Sequence, residues 1–242
     1  MAPLGTCKSV RAGMHLSTKR LVRTALFETL TPTAYSLHTM SRTRGGESSL
    51  KLKLEPKHGT REFDRLLTVL SFYREAELHG ARLLLIMHNH LRDADSQIKL
   101  TRHLADETRH AFLWTQRIFE MEGTPITITN GYQHRLGLRV GIPRDTIDLL
   151  ALTSVAETRA LERYRSHAQQ ESVDERTLEV LKAVSTDEMW HLAWVDAKMN
   201  EIAERRGDQG RPSRALEKLR AIEREVYATF IAEEAELIRP AK

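Results

Sequence analysis

Two short stretches of this chain carry the same set of side chains. Asp106-Glu107-Thr108-Arg109-His110 and Asp187-Glu188-Met189-Trp190-His191 each place a histidine three residues after a glutamate, with an aspartate directly before it. On a helix, positions i and i+3 share a face, so one carboxylate and one imidazole can reach a single metal ion. The bare Glu-x-x-His spacing says little. With 23 Glu and 11 His among 242 residues, about one copy arises by chance. A third copy, Glu55-Pro56-Lys57-His58, is read as that accident. The longer Asp-Glu-x-x-His pattern is more selective. With 10 Asp in the chain, about 0.04 copies are expected at random, so two copies are a signal.

The elements that carry these residues follow from apolar periodicity, which becomes strong at Glu62. Helix one is predicted over 62–91, with Leu66, Leu70, Tyr73, Glu77, Ala81, Leu84 and Met87 on one stripe. Helix two, over 95–122, aligns Leu100, Leu104, Glu107, Ala111, Trp114 and Ile118, and Gly123 is expected as its C′ glycine. A connection of about 20 residues follows, and Pro143 is placed at the first turn of helix three, which runs to about 170. Its stripe holds Ile147, Leu150, Ser154, Glu157, Leu161 and Tyr164. Helix four, over 174–206 and capped by Asp174 or Ser172, aligns Leu178, Leu181, Ser185, Glu188, His191, Val195 and Met199. A fifth amphipathic helix over 213–237 needs a partner for its stripe, either the bundle itself or a second copy in a homodimer.

Each of the four bundle stripes thus carries one glutamate among apolar positions. A buried carboxylate must be protonated, paired or metal-bound, because leaving it bare is costly. Glu77 lies 14 residues before the end of helix one and Glu107 lies 12 after the start of helix two. At 1.5 Å per residue those are about 21 and 18 Å from the same turn. Glu157 and Glu188 stand in the same relation to the second turn, so all four converge at mid-height. Glu75 is the rival to Glu77, but it shares its face with His79 and Arg82 and is assigned to solvent. Tyr73, Tyr164, Trp114 and Trp194, a turn or two from these residues, could carry a radical or an electron, but core packing is the favoured expectation. His88 and His103 could stand behind the ligands, although surface or capping roles are favoured for both.

Composition excludes several classes. No apolar run approaches the ~20 residues of a membrane span. The single cysteine, Cys7, excludes a Cys-rich zinc or iron–sulfur site. The net charge of +4 divides unevenly: residues 1–60 carry ten Lys/Arg against three acids, so residues 61–242 carry 27 basic and 30 acidic groups. The basic character belongs to the leader, and a nucleic-acid-binding core is disfavoured. The expected organisation is a basic, unfolded leader over 1–60, a four-helix domain over 61–206 and a C-terminal helix over 207–242. An acid-poor leader of this kind suits a cytoplasmic protein with an extension, a transit peptide to an organelle matrix, or a wrongly assigned start codon.

Two short hairpins joined by one long crossover predict an all-α, ferritin-like four-helix bundle. Over residues 62–206 the chain resembles the di-iron carboxylate branch of the ferritin-like superfamily, which takes one Glu from each of two helices and a Glu-x-x-His from each of the other two. The resemblance implies two iron ions held by Glu77, Glu107, His110, Glu157, Glu188 and His191, with manganese or zinc able to use the same ligands. Glu77, Glu107 and His110 would hold one ion, Glu157, Glu188 and His191 the other, with Glu107 and Glu188 as the bridging candidates. It further implies that Asp106 orients His191 and Asp187 orients His110, and no catalytic residue is assigned beyond the ligands. Two activities fit such a site. The first is oxidation or hydroxylation of a small, apolar substrate with O₂ and an external electron donor. The second is iron storage or peroxide scavenging of the bacterioferritin or rubrerythrin type. A metal-free structural bundle has nothing positive in its favour.

Overall fold

The computed structural model describes residues 56–237, so all but the last five residues of the expected leader, and Cys7 with them, lie outside the described part. Among the described residues there are six helices and no strand: α1 Arg61–Met87, α2 Ala94–Glu120, α3 Tyr132–Val140, α4 Thr146–Ala168, α5 Glu175–Arg205 and α6 Arg211–Leu237. None is long and apolar enough to cross a membrane.

Helices α1 and α2 form one antiparallel hairpin and α4 and α5 the other. α1 also packs on α4, and α2 on α5, which closes the four-helix bundle. Short polar side chains start each bundle helix by accepting an orphan backbone N–H: Thr60 from Phe63, Asp93 from Ser96, Asp145 from Ile147 and Asp174 from Thr177. The expected cap at Asp174 is thus present, whereas Pro143 is not in the first turn of its helix. It lies two residues before the Asp145 cap, because the aspartate offers the N-terminus a bond that proline cannot make.

The end of α2 also differs from expectation. Glu122 takes the left-handed conformation (φ 63°), its N–H donates to the Phe119 carbonyl, and the Gly123 N–H donates to Ile118. Gly123 is needed for a different reason: a Cβ there would lie 3.1 Å from Leu67 on α1 and 3.2 Å from the Ile118 carbonyl. In α5 the inward position of the stripe is Val184 rather than Ser185.

The crossover contains a helix that periodicity alone did not reveal, the nine-residue α3. It packs against α6, which in turn lies along α4. Tyr132 and Leu136 of α3 are buried, and the Tyr132 hydroxyl donates to Glu223 of α6 (3.2 Å). The Arg159 Nε donates to the same Glu223 (2.7 Å), and Arg163 donates to Glu234 (2.7 Å). α4 is therefore covered on two sides, which explains why Ile147, Leu149, Leu150, Ala151 and Leu152 are all buried rather than forming one stripe.

The core is not continuous. One apolar cluster includes Leu70, Tyr73, Trp114, Tyr164 and Leu181; the other includes Leu84, Leu100, Leu150, Trp194 and Val195. Between them, at mid-height, lies a layer of buried carboxylates and imidazoles.

Candidate metal centre

The six residues singled out by the sequence lie in this layer. Their exposures are 3% for Glu77, 2% for Glu107, 6% for Glu157 and 0% for His110, Glu188 and His191. Glu75 instead lies outside this layer, half-buried, and pairs with His79 (3.5 Å). Helix register explains the convergence: Glu77 follows Tyr73 and precedes Ala81 on the buried face of α1, and each partner helix repeats that spacing.

Two groups of ligand-type atoms lie close enough to share an ion. Glu77, Glu107, His110 and Glu188 form one, and His103, Glu107, Glu157 and His191 form the other, each with atoms within 4.8 Å of one another. Glu107 belongs to both. Glu188 also reaches both sides, with Oε1 3.4 Å from His110 Nδ1 and Oε2 3.2 Å from His191 Nδ1.

The two motif histidines are oriented alike. Each turns Nδ1 inward and Nε2 outward onto the aspartate of the opposite motif: His110 to Asp187 (3.2 Å) and His191 to Asp106 (3.4 Å). Arg109 ties the two aspartates together, donating to Asp106 (2.9 Å) and Asp187 (2.7 Å). An outer nitrogen that faces a carboxylate carries the ring proton, so the inner nitrogen presents a lone pair. Trp190 occupies the position equivalent to Arg109 in the second motif, and the Arg102 guanidinium stacks 3.9 Å over its ring.

His103 corrects the expectation of a surface or capping residue. Its ring is fully buried and stacks on His191 with centroids 3.6 Å apart. It is oriented oppositely to the motif histidines. Trp194 Nε1 donates to its Nδ1 (3.2 Å), and its Nε2 lies 3.1 Å from Glu157 Oε1 and 3.3 Å from Glu107 Oε1. An indole N–H can only donate, so the proton of a neutral His103 ring sits on Nε2, facing the carboxylates. A sequence signal existed: His103 precedes Glu107 by one helical turn and His110 by two. His88, by contrast, is exposed at the C-cap of α1, as expected.

The aromatic residues do more than fill space. Trp114 Nε1 donates to Glu77 Oε1 (3.3 Å), and the Tyr164 hydroxyl hydrogen-bonds to the same oxygen. Tyr73 packs edge-on against Tyr164 (4.9 Å) but bonds His167 Nδ1 (3.2 Å), away from the carboxylates.

Electrostatics shows what the layer lacks. Burial, and then the charges of Glu157, Glu77 and Glu188, hold Glu107 well above the ordinary carboxylate range. Burial and Glu188 push Glu157 up to about 7, and burial raises Glu188. Burial opposes a charge on His110, but Glu77 and Glu188 outweigh it and push that imidazole up to about 11. Burial lowers His103 and His191. Such a surplus of buried negative charge must be neutralised by protons or a cation. Three inward atoms, Glu107 Oε1, His110 Nδ1 and Glu188 Oε1, are buried with no hydrogen-bond partner. Two carboxylate oxygens and an imidazole nitrogen converging without partners fit a metal ion, which would displace the extra proton that the metal-free His110 holds.

Comparison with known proteins agrees at the level of the fold. No family model and no curated protein matches the chain. Among solved structures, the chain is similar to a dodecameric thioferritin, the bacterioferritin-related protein from Bacteroides fragilis. The two share 21% identity over 60% of this chain and 90% of that one, with a TM-score of 0.50. The fold is ferritin-like, an all-α bundle whose core holds a buried carboxylate–histidine cluster able to take metal.

Proposed function

We propose that the chain is a non-haem di-iron oxidoreductase that uses O₂ and an external electron donor to oxidise or hydroxylate a small apolar substrate. The observation that carries the reading is the set of unpartnered inward atoms on Glu107, Glu188 and His110, backed by aspartates that fix the imidazoles. Glu77, Glu107, His110 and Glu188 would hold one ion, and Glu107, Glu157, Glu188 and His191 the other. Four carboxylates offset the charge of two divalent cations, and two neutral imidazoles leave positions open. Bound iron would supply the redox equivalents and the site at which O₂ is reduced.

The chain's own groups set the conditions for that chemistry. Asp106 and Asp187, joined by Arg109, hold the imidazole protons on the outer nitrogens and keep both rings aimed inward. Glu107 and Glu188 each address both ion positions. Tyr164 and Trp114 hold Glu77 by its Oε1, while His103 holds a proton at Nε2 against Glu157. The two apolar clusters above and below exclude water from the layer.

The second reading, iron storage or peroxide scavenging, uses the same ligands and is favoured by the similarity to a dodecameric thioferritin. One experiment addresses both. Protein from iron-supplemented cells is assayed for metal, then loaded with ferrous iron without oxygen and pulsed with O₂. Two irons per chain, a transient absorption band and no mineral core support the oxidoreductase. A cage-sized particle that accumulates iron far beyond two per chain supports storage. Absence of bound metal in both states would overturn the centre itself.

A further inference from the structure

Among the described residues, one cavity of useful size touches the centre and a larger one near it does not. The larger, about 610 Å³, sits beside Tyr73 and His167 at one end of the bundle, is edged by charged residues including Arg65, Arg163 and Glu234, and reaches none of the six ligand candidates. The smaller, about 250 Å³, lies between α1, α3 and α4, and Glu157 itself forms part of its wall. We infer that this smaller cavity is a binding chamber for a compact, neutral, apolar organic molecule, delivered against the Glu157 side of the centre.

Three observations carry the inference. The first is contact. Glu157 is the most exposed of the four buried carboxylates, and it lines the cavity. On the α1 side the partition is equally thin, because Gly80 lines the cavity and a Cβ on Gly80 would lie 2.0 Å from Glu107 Oε2. A glycine here lets the Glu107 carboxylate lie against the α1 backbone, so little more than that backbone stands between chamber and centre.

The second is chemistry. Leu83, Ile86, Leu136 and Leu152 form apolar walls. Few polar groups in the lining are free: the buried Thr153 hydroxyl donates to its own helix at the Leu149 carbonyl (3.1 Å), His79 at the mouth pairs with Glu75 (3.5 Å), Arg82 is exposed, and Gln133 Oε1 is a buried acceptor without a partner. A charged or strongly hydrogen-bonding ligand would find few partners inside.

The third is size and construction. At about 250 Å³ the chamber falls below the roughly 300–1,000 Å³ of sites for drug-sized ligands, which favours a single ring with short substituents. Its roof is α3, the helix inserted in the crossover, and α3 is held in place by α6 through Tyr132 and Glu223. This assigns α3 and α6 a purpose that the four-helix bundle alone does not require. The inference rests on the proposed di-iron reading for the reaction, though not for the binding.

The test uses the full chain, with toluene as probe, in metal-free and cobalt(II)-loaded forms. Leucine and isoleucine methyl resonances are followed by NMR during titration. Shifts confined to Leu83, Ile86, Leu136 and Leu152 are expected in both forms, and bound cobalt should broaden the toluene protons. Gly137→Trp, at a cavity-lining site where an added Cβ meets nothing within 4 Å, and Leu152→Trp, deeper in, should each weaken toluene binding at least tenfold with cobalt content unchanged. If Leu152→Trp does not fold, Gly137→Trp still decides. Saturable toluene binding elsewhere, or none at all, overturns the chamber. If cobalt does not bind but the four methyls shift, the chamber stands and the metal reading falls.

Discussion

The centre has two ends, which the sequence presents as copies and the structure surrounds differently. At the Glu77 end, the carboxylate takes hydrogen bonds from Tyr164 and Trp114, both wholly buried, with Tyr73 packed edge-on behind Tyr164. At the Glu157 end, the carboxylate faces His103 on one side and the apolar cavity on the other. The repeated Asp-Glu-x-x-His motif duplicates the candidate ligands and the aspartates that face them, whereas residues outside the motif decide which end is closed. Two near-identical sets of candidate ligands therefore have unequal surroundings, one sealed and one accessible.

The strongest test of this arrangement removes what the ends share. Glu107→Ala should lose both metal ions, since Glu107 belongs to both ligand groups. Glu77→Ala and Glu157→Ala should each lose one. Metal per chain, measured after loading and gel filtration, distinguishes the three. Retention of two ions in Glu107→Ala would break the comparison at its centre. In the metal-free protein the same residue is a liability, because its carboxylate is buried among three others. Glu107→Gln should raise the metal-free unfolding free energy by about 1–3 kcal/mol while weakening metal binding.

Much of this was legible in the sequence, for local reasons. The four stripes, the depth of the glutamates and the Asp174 cap depend on spacing within one helix, and spacing can be read directly. What was not legible depends on distant partners. α3 is nine residues long, contains Gly137 and begins at Gly131 with no side-chain cap, so its intrinsic propensity is poor; burial of Tyr132 and Leu136 holds it. The burial of His103 is imposed by Trp194 of α5 and Glu157 of α4, and within α2 only its spacing from Glu107 and His110 points to it. Pro143 misled because proline suits a first helical turn in general, whereas here an aspartate two residues later makes the cap.

Titration sharpens the comparison next, by setting the Glu157 end against the bundle end at His167. Glu157 is pushed up from 4.5 to about 7, so the folded metal-free chain binds the proton more tightly than the unfolded chain does. Its contribution is complete below about pH 4.5 and is lost as pH rises through about 7, on the order of 3 kcal/mol in all. His167 works the other way. Burial, then Arg163, pushes it down from 6.5 to about 4, so stability falls as pH drops from about 6.5 towards 4, by a similar amount. Denaturant melts across pH 4–7.5 should show the two slopes opposing each other. Against the background set by the other buried carboxylates and imidazoles, Glu157→Gln should make the slope of stability with pH more positive than in the parent chain, and His167→Gln more negative. Saturating metal should reverse the Glu157 slope, because protons and cation then compete for one carboxylate. An unchanged slope in Glu157→Gln would mean that the carboxylate is not held in a repulsive cluster.

Removing one hydrogen bond at the sealed end should have a smaller effect. Tyr164→Phe keeps the ring packed between Tyr73 and Trp114 but deletes the hydroxyl contact to Glu77, leaving only Trp114 on that oxygen. Metal content should stay at two per chain, with affinity for the Glu77-side ion reduced about 10-fold, the lower end for a supporting contact. Competitive titration with a chelator measures it. A loss confined to the Glu157-side ion would show that the two ends are coupled rather than separately supported.

The smallest expected effect is at His103, and it tests whether the third histidine is a ligand or a donor. Geometry alone would admit it as a ligand, since its Nε2 lies within reach of Glu107, Glu157 and His191 atoms. The Trp194 bond argues otherwise: the indole proton occupies Nδ1, so Nε2 carries the ring proton and has no lone pair to give. His103→Gln keeps a polar group that can donate towards Glu157, and two metals per chain should remain, with at most a severalfold change in affinity. His191→Gln, by contrast, removes an inward lone pair and should cost one ion. If both variants lose one ion, His103 is a ligand, the Glu157 end holds two imidazoles to the other end's one, and the asymmetry between the ends lies in the ligands themselves as well as in their surroundings.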